Sequence, residues 1–182
     1  MLKIMFKITF IAILFSLLSA CTTVPDGVKP VEKFNLSKYQ GKWYEIARLD
    51  HSFERGLEQV TAEYQLMPEG YVKVTNRGFS TQKQTWSEAI GKAKFVEATD
   101  IGFLKVSFFG PFYGSYVIFE LDKQYQYSFV AGPNTSYLWL LSRSPTPDKA
   151  VVDKFLSMSK DLGFDTNEII FPVHRMLPKQ NQ

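Results

Sequence analysis

Val60-Thr-Ala-Glu-Tyr-Gln-Leu66, Met67-Pro-Glu-Gly70 and Tyr71-Val-Lys-Val-Thr-Asn76 together decide the fold class. The first stretch alternates apolar and polar residues, which sets Val60, Ala62, Tyr64 and Leu66 on one face of a strand. The second has the Pro and Gly of a turn, and the third resumes with Val72 and Val74 on one side, so the pair reads as a β-hairpin. Similar runs recur at Trp43 to Arg48, Ser87 to Phe95, Phe103 to Phe109, Ser115 to Leu121, Tyr127 to Ala131 and Tyr137 to Ser142. Eight short strands separated by turn signals predict an all-β sandwich or barrel. One helix follows. Thr146-Pro147-Asp148 has the look of an N-cap, a first-turn proline and a first-turn acid, and Val151, Phe155, Met158 and Leu162 form an apolar stripe that Gly163 ends. Ile169-Ile170-Phe171 then reads as a short ninth strand.

The rest of the composition narrows the chemistry. A chain of 182 residues with 16 Phe, 9 Tyr and 3 Trp suits one domain with a large core. A single cysteine excludes an intrachain disulfide, an iron–sulfur cluster and a cysteine-rich zinc site. Two histidines, His51 and His174, cannot make a three-histidine metal site, and neither a metal nor a cofactor is expected. There are 21 basic residues against 18 acidic ones, and two of the basic ones, Lys3 and Lys7, open a leader. Nothing suggests a nucleic-acid surface.

Residues 1–20 read as a signal peptide: a basic start, then an apolar run from Ile8 to Leu18 too short to span a bilayer comfortably. Leu18-Ser19-Ala20-Cys21 resembles the bacterial lipobox, which implies that Cys21 carries the lipid anchor and becomes the first residue of the mature protein. Thr22, rather than an aspartate, follows it. By the sorting rule of such lipoproteins this implies the outer membrane, lipid-anchored and facing the periplasm. Residues 21–33 read as a tether, broken by a turn at Pro25-Asp26-Gly27 and by Pro30, and residues 34–177 as the folded domain.

Gly41-Lys42-Trp43-Tyr44, Leu121-Asp122 with Tyr125, and Leu141-Ser142-Arg143 resemble, in order and spacing, the three signatures of the lipocalins. Gly41 to Arg48 with Phe53-Glu-Arg-Gly-Leu57, Val106 to Gly114, and Gly132-Pro133 with Tyr137 to Arg143 are similar to the bacterial outer-membrane lipocalins and their apolipoprotein D-like relatives. The resemblance implies an eight-stranded antiparallel up-and-down barrel with one C-terminal helix packed outside. It also implies that Trp43 and Arg143 pair at the closed end, with the guanidinium over the indole. Their expected role is structural.

If Trp43 points inward, alternation along each strand assigns an inner lining: Glu45, Ala47, Ala62, Tyr64, Val74, Asn76, Val106, Phe108, Tyr116, Ile118, Phe129, Tyr137 and Trp139. Such a lining suits an acyl chain with a polar head near one end, so the expected ligands are fatty acids or lysophospholipids. A packed aromatic core fits the same residues, and the resemblance favours the hollow reading. The first, third, fifth and seventh connections fall at the mouth. There Phe109, Phe112 and Tyr113 could meet the bilayer, a second protomer in a homodimer, or the protein's own first loop. His51, in that first loop, reads as a surface residue. An envelope protein–protein contact is the alternative function. Catalysis is disfavoured, because no G-x-S-x-G occurs and Glu45 is the one candidate acid or base. Cys21→Ser is expected to release the protein from membrane pellets; persistent pelleting in carbonate would refute the anchor.

Overall fold

Alternating side chains let a sheet present one face to a shared interior, and here the sheet closes on itself. The computed structural model describes residues 22–174; the leader, Cys21 and residues 175–177 of the expected domain lie outside the described residues. Strands β1 (Gly41–Arg48), β2 (Leu57–Leu66), β3 (Val72–Ser80), β4 (Thr85–Phe95), β5 (Phe103–Phe109), β6 (Phe112–Leu121), β7 (Tyr127–Ala131) and β8 (Leu138–Ser142) pair in sequence order. Antiparallel pairing of β1 with β8 closes the barrel. Closure gives every strand two neighbours, although β1 beyond Tyr44 and β4 before Lys92 run past their partners on one side. A one-turn helix, α1 (Leu36–Tyr39), precedes the barrel and helix α2 (Lys149–Asp161) follows it.

Two apolar clusters result, one on each face of the wall. Inside lie Trp43, Tyr64, Val72, Val74, Leu104, Ile118, Val130 and Leu141. Outside, Phe103, Val117, Phe119, Phe129, Leu138 and Leu140 are covered by α2 through Phe155, and by Phe164 just beyond it. The expected helical stripe is thus the docking face. The start of the helix differs from expectation: Asp148 occupies the N-cap, without a side-chain bond, and the helix begins at Lys149.

Ile169-Ile170-Phe171 is not a ninth strand. Ile170 forms a single antiparallel bridge to Arg48, with backbone bonds of 2.9 and 2.7 Å. The cause is a bulge in β1. β1 pairs with β2 only from Gly41 to Tyr44, and its register against β8 shifts between Glu45 and Ala47. Beyond Tyr44 the tail fills the β1–β2 seam: the Gln59 amide donates to the Val173 carbonyl at 2.9 Å, and His174 Nε2 donates to the Glu45 carbonyl at 2.7 Å.

The closed end is built on Arg143. Its Nη1 donates to the Lys42 carbonyl (2.7 Å), and its Nη2 faces the carbonyls of Lys38 (2.9 Å), Tyr39 (3.1 Å) and Gln40 (2.8 Å). These are the last carbonyls of α1, which a guanidinium suits. The guanidinium carbon sits 3.9 Å from the Trp43 ring centroid, and Trp43 Nε1 donates to the Tyr39 carbonyl at 2.8 Å. A lysine keeps the charge but not the planar fork. Arg143→Lys is expected to cost about 2–3 kcal/mol, a fall in Tm of roughly 5–10 °C. An unchanged Tm would show that the floor does not rest on this pairing.

Candidate binding site

The lower half of the barrel is filled. Tyr39, carried in by α1, reaches a hydroxyl chain: Tyr39 to Tyr116 at 2.8 Å, Tyr116 to Tyr64 at 2.7 Å, and Tyr39 to Ser128 at 3.2 Å. Burial raises all three phenols, Tyr39 to about 12, so none ionises near neutrality. With Trp43, Ala62, Val74 and Ile118 packed around them, these hydroxyls form an uncharged floor.

Above that floor the interior opens on the β3–β4 side. Ser87 and Ala89 pair with Gly78 and Asn76, on the same face as the inner Val72 and Val74, yet both are exposed. Val106, Phe108 and Trp139, packed against the inner cluster, are partly exposed. The Phe108 ring enters because β4 carries a glycine opposite it: a Cβ at Gly91 would stand 2.8 Å from that ring. Asn76 Oδ1 is buried without a hydrogen-bond partner among the described residues.

Towards the mouth, the lining becomes ionic. Arg48 Nη1 donates to Glu45 Oε1 at 2.7 Å, its Nη2 to the Glu54 carbonyl at 2.9 Å, and its Nε lies 4.0 Å from Glu54 Oε2. Trp139 Nε1 donates to the same Glu54 oxygen at 3.1 Å. All three charged residues are buried. Burial and the neighbouring Glu54 carboxyl push Glu45 well above the usual carboxylate range, and burial also raises Glu54. The two carboxyls face one guanidinium and titrate as a coupled pair, both held above the usual carboxylate range.

Of the thirteen residues expected to line the interior, eleven lie on its inner face or rim, and two do not. Ala47 sits outside, paired with Leu140 in the cluster beneath α2, because the bulge reverses alternation and turns Arg48 inward instead. Phe129 is also outside, its ring 5.1 Å from Phe155, while Ser128 and Val130 point inward. Tyr137 stands at the rim, before β8 begins. His51 is buried rather than at the surface. It stacks between Phe53 and Tyr137, and burial lowers its pKa to about 4, so it is neutral.

Sequence reasoning missed Arg48, Glu54, Ser87 and Ala89. The last two carried a signal: small residues at 87, 89, 91 and 93 alternate with Trp86, Glu88, Ile90 and Lys92.

Comparison with known proteins agrees with this architecture. Residues 34–174 match the model of a lipocalin-like domain. An outer membrane lipoprotein, Blc, of Vibrio cholerae is 60% identical over 163 residues, spanning 89% of this chain and 95% of that one. Its counterpart in Escherichia coli K12 is 46% identical, spanning 85% and 89%. Rat apolipoprotein D is 30% identical, spanning 72% and 73%. Among solved structures, insecticyanin from the tobacco hornworm superposes with a TM-score of 0.64 over 84% of this chain and 87% of its own, at 21% identity, a likeness of fold. With such relatives and a lipobox-like stretch ending at Cys21, this is a lipid-anchored lipoprotein of the outer membrane. By its sequence and its closed barrel alike, the chain belongs to the lipocalin family.

Proposed function

We propose that the protein holds or carries fatty acids or lysophospholipids at the outer membrane, in service of membrane maintenance under stress. The observation that carries this reading is an uncharged floor with an inner wall above it that stays partly or fully exposed at Ser87, Ala89, Val106, Phe108 and Trp139. An acyl chain suits such a lining, and few polar atoms compete for it. Those that do, Asn76 Oδ1 and the Nε of Arg48, lack hydrogen-bond partners among the described residues and stand where a head group would enter. Ala47 and Phe129 have no part in this site.

Catalysis by Glu45 is the weaker reading. Its carboxyl is already engaged by Arg48 and coupled to Glu54, so it is a satisfied buried acid rather than a free base. An envelope protein–protein contact would be favoured if a variant at the rim lost its partner but kept its lipid.

Native mass spectrometry of protein extracted from membranes is expected to show a co-bound mass of an acyl chain or a lysophospholipid. A barrel that is empty and takes up neither would refute the carrier reading. The coupled pair makes a separate prediction. Glu45 has a raised folded pKa, so the native state binds the extra proton and stability falls as pH rises from about 4.5. His51 acts oppositely, its lowered pKa costing stability as pH falls below about 6.5. The difference between Glu45→Gln and the parent protein cancels His51 and reports the coupled carboxyl pair: the variant's urea midpoint should gain on the parent as pH rises above about 4.5. A difference independent of pH would mean that Glu45 titrates as an ordinary carboxylate.

A further inference from the structure

The segment before the barrel is laid along the wall rather than free. Thr23 Oγ1 donates to the Pro133 carbonyl at 2.9 Å, in the connection between β7 and β8 at the open end. From there the chain descends. Val28 closes a turn onto the Pro25 carbonyl, and Val24 and Val28 join the cluster beneath α2. The Val31 amide donates to Ile118 and the Val31 carbonyl accepts from Gly102, both at 2.8 Å, before the Phe34 amide reaches Asp100 at the closed end. The mature chain therefore enters the fold at the mouth. Only two residue steps separate Thr23 from Cys21, a reach of about 7 Å at most.

The same end carries the exposed rings. Phe53 is 59% exposed, Trp86 48%, and Phe109 and Phe112 each 79%. They come from three of the four mouth connections or their flanks, and the fourth receives Thr23. Ile170, Phe171 and Val173 add apolar surface beside the β1–β2 seam, whereas Leu66 is the exposed large apolar residue of the closed end. Charge does not divide the two ends. At the mouth, Asp50 and Glu54 are balanced by Arg55 and Lys83, and at the closed end Glu69, Glu97, Asp100 and Asp122 are balanced by Lys38, Lys42, Lys123 and Arg143. The exposed rings and the entry of the chain therefore set the mouth apart, and an apolar, near-neutral end suits a lipid surface.

We propose that the open end of the barrel faces the bilayer, with Phe53, Trp86, Phe109 and Phe112 seated in its surface, so that a lipid passes between membrane and cavity without crossing water. The proposal rests on the anchored, lipid-binding reading above. It adds a direction: the short stretch between Cys21 and Thr23 leaves the barrel no room to turn its floor to the membrane.

The test uses full-length lipidated protein in vesicles of phosphatidylethanolamine and phosphatidylglycerol, with one labelling site placed at each end, Lys83→Cys at the mouth and Glu69→Cys at the floor. With a bimane on each and nitroxide-bearing phospholipids as quencher, the mouth label is expected to be quenched and the floor label not. Combining Lys83→Cys with Phe109→Ser and Phe112→Ser should weaken that quenching. The same pair of substitutions should slow uptake of a fluorescent lysophospholipid from vesicles, but not from aqueous solution below its micellar limit. Flotation of Cys21→Ser reports the anchor separately. An anchored protein whose floor label is the one quenched would overturn the orientation and leave the lipoprotein reading intact. Mouth labels that meet each other between two copies, with no quenching by lipid, would overturn it in favour of a dimer.

Discussion

The guanidinium of Arg143 holds the barrel's lower end together. It is the first residue after β8, and its donors gather the carbonyls of Lys38, Tyr39, Gln40 and Lys42 from the start of the domain. Fixing α1 in that way delivers Tyr39 into the interior, and Tyr39 in turn bonds Tyr116 and Ser128 from two further strands. One side chain thus sets the depth of the cavity, because everything below the tyrosine hydroxyls is filled. The interaction is a cation over an indole and among carbonyls, all geometric demands that only arginine meets together.

The upper half depends on a different device. The β1 bulge gives up one residue of alternation and gains a buried charge inside the wall. Arg48 would point outward on a regular strand. Turned inward, it needs carboxylates, and Glu45 and Glu54 supply them, each with its pKa raised by burial. The cavity mouth is therefore rich in ionisable groups. Such an arrangement suits the polar end of an amphiphile without committing the site to an anion.

Much of this was legible in the residues. Alternation located all eight strands, and the stripe Val151, Phe155, Met158, Leu162 found the helix. Trp43 and Arg143 were legible only through resemblance, since nothing in their spacing shows an indole and a guanidinium meeting across a hundred residues. Failures came where period-two counting breaks. A bulge between Glu45 and Ala47 is invisible to a pattern of apolar and polar residues, because alanine is at home on either face. Phe129 misled for a related reason: both faces of β7 are buried, one by the cavity floor and one by α2, so hydrophobicity carries no direction there. His51 reads as a surface residue because loops usually lie outside, but this loop folds over Trp139 and Tyr137.

The tail in the β1–β2 seam bears on how such a chain is made. Arg48 waits for Ile170, Gln59 for Val173, and β1 as a whole for β8, so the first strand has no complete set of partners until the last turn of the polypeptide is available. Contacts this far apart in sequence are slow to form. A precursor still emerging from the ribosome cannot complete its barrel: the strand made first is the strand closed last.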